Sequence, residues 1–494
     1  MQLTTKLFRN AVLSVFQVIF TGLSYFIVFK IILSTLDKDA LGVFTLVFSF
    51  SSVANIANLG ISNSLIKFIA EAYNRKEYER INSLFQIGLI IVSVFMITLD
   101  IVLSFSGNYL FSKVIPKNQI HIAIEILPFS LLSLLLNTVS GIFLSVLDAM
   151  LLTYIKNLIF ISTSIVFCVL SFYLINSFGL IGVCYSMIFQ SLLILISSVI
   201  SIYKVLPSFR LLKLYWSKSI FKEIFNYSFK FQVISILALL TDPITKFMLS
   251  YYGSVSTVGF YEMANRLVVQ VRQLIVTANQ TLIPVIAQRS SNSNEVIKLN
   301  QKIFFLISII TFPLMSFLII QSSIISYLWI GNYERFFLIS FWCLGLGYTV
   351  NIISGPAYFS SLGTGSLNLV LKSHLLLSLG NVALGFSFGY FLGDYGVLLG
   401  WTISLCSSSI LTLSLFRKQY SISFIDAYNN SFIVLAIFYA AMLIMTILST
   451  LFINDSFSAW LVGGISTIIF SILLFTINKK YSFSTIIFDF LERR

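Results

Sequence analysis

The sequence predicts an all-α integral membrane protein of about fourteen transmembrane helices. Of its 494 residues, 58% are hydrophobic and only 10% are charged, which is far from the composition of a soluble protein. The 49 Phe and 23 Tyr residues are spread along the whole chain, so no separate soluble domain is indicated. The net charge of +13 comes from basic residues in short loops between apolar runs, a placement typical of multi-pass membrane proteins and not of nucleic-acid-binding proteins.

A membrane-spanning helix needs about 20 mostly apolar residues, or up to about 25 when it is tilted. Fourteen segments meet this length, centred near residues 22, 54, 94, 134, 164, 192, 238, 272, 315, 349, 383, 406, 441 and 467. The second, eighth and tenth segments are interrupted by polar residues.

The distribution of Lys and Arg predicts the orientation of these segments. With the N-terminus inside, twenty-one basic residues fall in cytoplasmic segments, and only Lys38, Lys113, Lys117 and Arg335 fall in the opposite loops. Because cytoplasmic loops carry the excess of basic residues, this bias predicts that both termini are cytoplasmic.

An internal repeat divides the chain. "FQVIF" in the first segment matches "FQVIS" in the seventh, Gly42 matches Gly259, and Gly179 matches Gly396, all at offsets of 215 to 218. Six helices form an even number, so the two copies have the same orientation and are related by a pseudo-two-fold axis along the membrane normal. The predicted parts are an N-lobe (1–204), a basic cytoplasmic linker (205–223), a C-lobe (224–418) and two appended helices with a cytoplasmic tail (419–494).

The stretch "LALLTDPITKFMLSYYG" (237–253) places Asp242, Pro243 and Lys246 inside an apolar run. An ionised side chain at mid-membrane costs roughly 2.5 to 3.5 kcal/mol on the insertion scale, so it tends to face protein or water. Asp242 and Lys246 are four residues apart and share one helix face, and Pro243 is expected to bend the helix. A self-satisfied ion pair with Lys246 reaching towards the surface is the structural alternative.

More intramembrane charges follow in the next helix, where "GFYEMANRLVVQVRQL" (259–274) carries Glu262, Arg266 and Arg272. An offset of 216 places Lys30 of the first helix on Lys246, and two lysines at equivalent depth could face each other across a cavity. Lys30 alone is ambiguous, because it lies near the end of its helix.

The basic groups at these positions outnumber the acidic ones. A net-positive intramembrane cavity favours an anionic substrate, and guanidinium and ammonium groups suit a phosphate or diphosphate. The four cysteines are isolated, with no spacing that indicates a disulfide or a metal site, and no cofactor is expected.

The two-lobe pattern and two segments, "LDKDALGVFTLVFS…ANLGISNSLIKFIAE" (36–71) and "VGFYEMANRLV…LIPVIAQ" (258–288), resemble the Wzx-type polysaccharide flippases. These proteins share a superfamily with the multidrug (MATE) exporters and the lipid II flippases, and the resemblance covers nearly the whole chain. It implies a MATE-like fold and a bacterial inner-membrane protein that moves an undecaprenyl-diphosphate-linked oligosaccharide across the membrane, driven by an ion gradient.

The resemblance also implies roles for the charged residues. Lys30, Lys246, Arg266 and Arg272 would contact the diphosphate or the glycan, and Asp242 or Glu262 would couple transport to H⁺ or Na⁺. The expected partners are the lipid-linked oligosaccharide, membrane lipids and a polysaccharide polymerase or glycosyltransferase complex. A lipid II flippase and an ion-coupled multidrug exporter are the alternatives within the same architecture.

A membrane enzyme is the competing class. Polymerases and glycosyltransferases need catalytic groups on a large loop or soluble domain, whereas the largest outward loop here is about fifteen residues, "SGNYLFSKVIPKNQIH" (106–121). No nucleotide-binding glycine loop or His/Asp/Ser constellation is present in the sequence, so a transporter is favoured over an enzyme.

Overall fold

The structure, a computed structural model, describes residues 2–58, 61–206, 209, 236–280, 293–422, 430–450, 453 and 456–481. Most of the predicted linker (205–223) and the end of the predicted tail (482–494) lie outside these residues. The described chain is helical, with helices α1 (Gln2–Thr35), α2 (Lys38–Ser51), α3 (Ile61–Asn74), α4 (Tyr78–Val114), α5 (Ile120–Ala149), α6 (Thr153–Val205), α7 (236–252), α8 (Val255–Gln280), α9 (Ser293–Ile320), α10 (Ser322–Trp329), α11 (Arg335–Gly363), α12 (Leu367–Tyr420), α13 (Asn430–Ser449) and α14 (Ser456–Tyr481).

Ten helices among the described residues are long and apolar enough to cross a membrane. Two of them, α6 and α12, are 53 and 54 residues long, about twice the length that one span needs. Counting these two twice and adding α7 and α8 gives fourteen crossings, so the predicted all-α membrane fold is confirmed. Helix α8 carries too many polar residues to be found by composition.

The two long helices are each broken by a glycine at the predicted boundary between two spans. Gly179 in α6 and Gly393 in α12 have positive φ angles of 57° and 63°, a backbone conformation that residues with a Cβ atom disfavour. Three residues later, a Cβ on Gly182 would collide with the Leu174 carbonyl oxygen, and a Cβ on Gly396 would collide with the Phe388 carbonyl oxygen. Both hairpins therefore use the same pair of glycines.

This shared design corrects the register of the predicted repeat at the hairpins. Gly179 corresponds to Gly393, and Gly182 corresponds to Gly396, at an offset of 214. The predicted match of Gly179 with Gly396 was therefore wrong by three residues. Each copy has two glycines three residues apart, and the sequence comparison aligned the first glycine of one copy with the second glycine of the other.

The predicted match of Gly42 with Gly259 holds in the structure. Helices α2 and α8 begin at Lys38 and Val255, which gives the same offset of 217. The two glycines touch: a Cβ on Gly259 would lie 3.1 Å from the backbone nitrogen of Gly42. Each glycine lies four residues after the first residue of its helix, so this pair of positions supports the repeat.

By contacts the chain divides into two compact units, unit 1 (Met1–Gly259) and unit 2 (Phe260–Arg494), with the boundary inside α8. The lobe boundaries predicted from the repeat stay a prediction, because a division by contacts reports packing and not duplication.

Small polar side chains hold the helices together in each unit. In unit 1 the hydroxyls of Ser51 and Ser130 lie 2.5 Å apart between α2 and α5. In unit 2 Asn300 donates to the Ser360 hydroxyl at 2.9 Å between α9 and α11. Such hydrogen bonds are favoured in membrane helices, because lipid provides no alternative partner.

Candidate functional site: charged groups on α7 and α8

The first charged pair lies on α7, within unit 1. Lys246 Nζ lies 2.7 Å from Asp242 Oδ2, and the spacing of four residues places both on one helix face. The Lys246 side chain is only 6% exposed, whereas that of Asp242 is 42% exposed. The Ser49 hydroxyl of α2 donates a second hydrogen bond of 3.4 Å to the same carboxylate oxygen. The buried member of this pair is therefore the cation.

The second pair lies on α8, within unit 2, and has the opposite arrangement. Arg266 Nε lies 2.6 Å from Glu262 Oε1, again four residues apart. Here the Glu262 side chain is 5% exposed and the Arg266 side chain is 43% exposed. The buried member is the anion, and the guanidinium is the accessible group.

Lys30 has a different environment from Lys246. It is exposed, and it continues a row of exposed apolar residues along α1 that includes Phe20, Leu23 and Ile27. It makes no hydrogen bond or ion pair with the described residues.

The helix ends also shift the pairing of these lysines. Helix α1 ends at Thr35 and α7 ends at residue 252, an offset of 217, which pairs Lys246 with Phe29. Phe29 is buried like Lys246, so burial agrees with this register. The predicted equivalence of Lys30 and Lys246 was wrong by one residue, and one residue turns a helical side chain by about 100°.

Arg272 on α8 lies in a polar cluster of unit 2. Its Nε donates to Asn351 Oδ1 of α11 at 3.0 Å, and its guanidinium carbon lies 5.4 Å from the centre of the Tyr348 ring. Asn351 in turn donates to the Ser409 hydroxyl of α12 at 3.3 Å. Three helices of unit 2 thus contribute to the position of one guanidinium.

Two further residues of unit 2, Tyr358 of α11 and His374 of α12, have rings that meet edge to face at 5.9 Å. His374 Nδ1 is buried without a hydrogen-bond partner in the described part of the chain. No carboxylate of the described residues forms an ion pair with Arg272, in contrast to Lys246 and Arg266.

The predicted site residues therefore fall into two sets. Lys30, Asp242 and Lys246 belong to unit 1, and Glu262, Arg266 and Arg272 belong to unit 2. Within unit 2, the structure adds the anchors of Arg272, which sequence reasoning missed. The sequence signal for these anchors lies in the tenth predicted segment, where Tyr348 and Asn351 are three residues apart and therefore share one face of the helix.

In the residues that the structure describes, no group of His, Cys, Asp and Glu side chains has an arrangement that could hold a metal ion. All four cysteines, Cys168, Cys184, Cys343 and Cys406, are free thiols.

Comparisons with known proteins give a family and a fold. The family described as "Polysaccharide biosynthesis protein" matches residues 7–290. No curated protein sequence matches the chain significantly.

Among solved structures, the chain is similar to an inward-facing multidrug resistance MATE family transporter of the MOP superfamily, with a TM-score of 0.70, 16% identity, and coverage of 81% of this chain and 94% of that one. It is also similar to the lipid II flippase MurJ in an inward closed conformation, with a TM-score of 0.65, 17% identity, and coverage of 93% and 99%. A third similar structure is a MOP superfamily transporter from Pyrococcus furiosus with a binding pocket of reverse polarity, with a TM-score of 0.63, 16% identity, and coverage of 84% and 95%.

Proposed function

This chain belongs to the polysaccharide biosynthesis protein family, and from that premise we propose that it is a flippase for a lipid-diphosphate-linked oligosaccharide. The resemblance predicted from the sequence is confirmed for family and fold, including the likeness to MATE transporters and to MurJ. The substrate, the ion coupling and the residues that carry them belong to the proposal.

The observation that carries the proposal is Arg272. Its guanidinium is held by Asn351 and Tyr348 inside unit 2, and no described carboxylate neutralises it. An arginine cannot lose its charge by deprotonation. Its position within membrane-spanning helices therefore raises the free energy of the protein unless an anion or water contacts the guanidinium. A diphosphate is an anion of suitable charge and geometry.

The proposed cycle is alternating access. The lipid-linked oligosaccharide, with undecaprenyl diphosphate as its carrier, enters from the cytoplasmic leaflet of a bacterial inner membrane in which both termini are cytoplasmic. Lys30, Lys246, Arg266 and Arg272 contact the diphosphate or glycan, and Asp242 and Glu262 couple the cycle to H⁺ or Na⁺. A polymerase or glycosyltransferase complex is a partner of the same pathway.

The burial of the two ion pairs supports a division of roles. Asp242 is the accessible member of its pair and suits a cation, whereas Arg266 is the accessible member of its pair and suits an anion. Lys246 and Glu262 are buried, so in this proposal each acts first as the counterion of its accessible partner.

The test is transport by the purified chain in proteoliposomes. Three substrates are compared: a fluorescent undecaprenyl-diphosphate oligosaccharide, fluorescent lipid II and an organic cation such as ethidium. We expect movement of the first substrate and loss of that movement in Lys246→Ala and Arg272→Ala. Transport of lipid II alone or ethidium alone would favour the corresponding alternative, and transport of the oligosaccharide by both variants at the wild-type rate would refute the site.

In the bacterium of origin, the same variants should abolish surface polysaccharide while the amount of protein in the membrane stays unchanged. Normal surface polysaccharide in both variants would contradict the assignment of these residues.

A further inference from the structure

Unit 1 contains a cluster of neutral polar side chains to which none of the charged site residues belongs. Asn137 of α5 donates through Nδ2 to the Ser191 hydroxyl of α6 at 2.8 Å, and the Ser133 hydroxyl lies 3.0 Å from the same Ser191 hydroxyl. The next residue of α5, Thr138, shares its hydroxyl hydrogen between Asn55 Oδ1 at 3.2 Å and a carbonyl of its own helix. Asn55 lies in a short 3₁₀ helix that follows α2. We call these five residues the amide cluster.

The amide cluster has a counterpart in unit 2. Helices α5 and α11 end at Ala149 and Gly363, and this offset of 214 pairs Asn137 with Asn351. In both units this asparagine donates to a serine of the following long helix, to Ser191 at 2.8 Å and to Ser409 at 3.3 Å. The repeat has therefore kept a supported asparagine in both copies.

The residue beside this asparagine differs in charge between the units. Helices α2 and α8 begin at Lys38 and Val255, and this offset of 217 pairs Asn55 with Arg272. Each of the two contacts the next-but-two helix of its own copy, Asn55 at Thr138 and Arg272 at Asn351. No hydrogen bond of the amide cluster reaches a charged side chain of the described residues. Unit 1 thus presents a neutral amide where unit 2 presents a guanidinium.

Both amides of the cluster keep one end unused. Asn137 Nδ2 donates to Ser191 and to the Ser133 carbonyl, but its Oδ1 accepts no hydrogen bond from the described residues. Asn55 accepts at Oδ1, but its Nδ2 donates no hydrogen bond to the described residues. The cluster therefore offers one acceptor and one NH₂ donor to a ligand.

Asn137 is exposed, but not on the apolar exposed face of α5. That face carries Ile124, Pro128 and Leu132, which are exposed and follow one another at intervals of four residues. Asn137 comes five residues after Leu132 and is turned from it by about 140°. It lies near the middle of a helix long and apolar enough to cross a membrane. An amide with an unused oxygen at that depth is stabilised by water or a polar ligand and not by lipid tails, so Asn137 is expected to face a polar space.

We infer that Asn55 and Asn137 form a subsite in unit 1 for an uncharged sugar of the substrate, and that Ser191 is the residue that positions Asn137. This inference rests on the proposed function and adds a site of different chemistry, for the glycan and not for the diphosphate. Sugar hydroxyls both donate and accept, so a sugar can donate to Asn137 Oδ1 and accept from Asn55 Nδ2. Few, fixed polar groups of this kind are what orients a ligand in a binding site.

The experiment uses the full chain in phosphatidylcholine nanodiscs with two probes. One is the lipid-linked oligosaccharide extracted from the membranes of the bacterium of origin, and the other is undecaprenyl diphosphate, the same carrier without sugar. The ratio of the two dissociation constants, measured by microscale thermophoresis, gives the contribution of the sugar. We expect the wild type to bind the oligosaccharide probe about tenfold more tightly than the carrier.

Two substitutions remove the amides at nearly equal volume. Asn137→Leu and Asn55→Leu should each reduce this ratio about fivefold and leave the affinity for undecaprenyl diphosphate unchanged, because each removes one hydrogen bond to the sugar. Ser191→Ala removes the support of Asn137 but keeps both amides, and it should reduce the ratio about twofold.

The matched control is Asn176→Leu, which makes the same substitution at an exposed asparagine of α6, also in unit 1. The Asn176 amide donates only to the Phe172 carbonyl of its own helix, so this variant should keep the wild-type ratio. Equal affinity of the wild type for the two probes, or a wild-type ratio in both Asn137→Leu and Asn55→Leu, would overturn the subsite.

Thermal unfolding of the same variants in detergent separates binding from helix packing. A lower unfolding temperature with an unchanged ratio would show that the amides only join helices, and it would overturn the subsite. Asn55→Leu keeps the test decisive if Asn137→Leu does not fold, because the hydrogen bond from Asn137 to Ser191 stays intact in it.

The failure of the inference can be told from the failure of the proposed function. If the wild type prefers the oligosaccharide probe through Asn137 but does not move it across proteoliposome membranes, the subsite stands and the flippase proposal falls. If the wild type moves the oligosaccharide and both leucine variants keep the wild-type ratio, the flippase proposal stands and the subsite falls.

Discussion

The ion pairs of α7 and α8 share a spacing of four residues but differ in which charge is buried. On α7 the Lys246 ammonium is enclosed and the Asp242 carboxylate is accessible, whereas on α8 the Glu262 carboxylate is enclosed and the Arg266 guanidinium is accessible. A buried charge depends on its partner more than an exposed one does, because water can replace the partner only at the exposed group. The two pairs should therefore respond in opposite ways to loss of the acid and loss of the base.

The largest effect is expected for Asp242→Asn. It leaves the Lys246 ammonium buried without its carboxylate, and we expect the free energy of unfolding to fall by about 3 kcal/mol. Lys246→Met, which leaves only the accessible Asp242 carboxylate, should cost about 1 kcal/mol. Chemical unfolding of the purified variants in detergent measures both, and a larger loss in Lys246→Met would contradict the role assigned to burial.

The order should reverse on α8. Arg266→Gln leaves Glu262 buried and is expected to cost about 2 kcal/mol. This is less than for Asp242→Asn, because at pH 7 a carboxylate is neutralised at lower cost than an ammonium group. Glu262→Gln leaves the accessible Arg266 and should cost less than about 1 kcal/mol. The same unfolding measurement applies, and equal losses in these two variants would mean that burial does not rank the partners.

Removing a whole pair tests whether it stabilises the fold at all. The double variant Asp242→Asn with Lys246→Met leaves no charge at either position, and we expect it to regain most of the stability lost in Asp242→Asn, to within about 1 kcal/mol of the wild type. A double variant as unstable as Asp242→Asn would show that the carboxylate has a structural role apart from Lys246, for which its hydrogen bond from Ser49 is the candidate.

The smallest effect on stability is expected for Lys30→Gln. Lys30 is exposed and forms no ion pair or hydrogen bond with the described residues, so its replacement should change the free energy of unfolding by less than about 0.5 kcal/mol. A loss of oligosaccharide transport at unchanged stability would assign Lys30 to the substrate, and unchanged transport would remove it from the site.

The elements found from the sequence were those that depend on local pattern. Runs of about 20 apolar residues located the spans, because a bilayer admits few alternatives to a helix of that length. The break between two spans near residue 179 was also predictable, because the apolar run was too long for one crossing. The match of Gly42 with Gly259 was predicted from the shared offset of the repeat, and the structure confirms it because both glycines lie four residues after the first residue of a helix.

The errors arose where a difference of one to three residues decides the answer. Lys30 and Lys246 were aligned by letter, but a shift of one residue placed one on an exposed face and the other on a buried face. Gly179 was aligned with the wrong member of a glycine pair, because both hairpins repeat that pair. Sequence identity alone does not show where each helix ends, and the observed helix ends are what correct the offset of the repeat.

The sequence by itself determined that the chain lies in a membrane, that its helices repeat, and that acids and bases four residues apart form pairs, since each of these follows from composition, period or helical spacing. The tertiary structure decided which member of each pair is buried and which cations of the predicted site, Arg272 and Lys30, lack a carboxylate partner among the described residues. Those properties depend on neighbouring helices: Asn351 and Tyr348 reach Arg272 from α11, nearly eighty residues away in the chain. No local pattern encodes such a contact, because the exposure of a side chain is set by what packs against it.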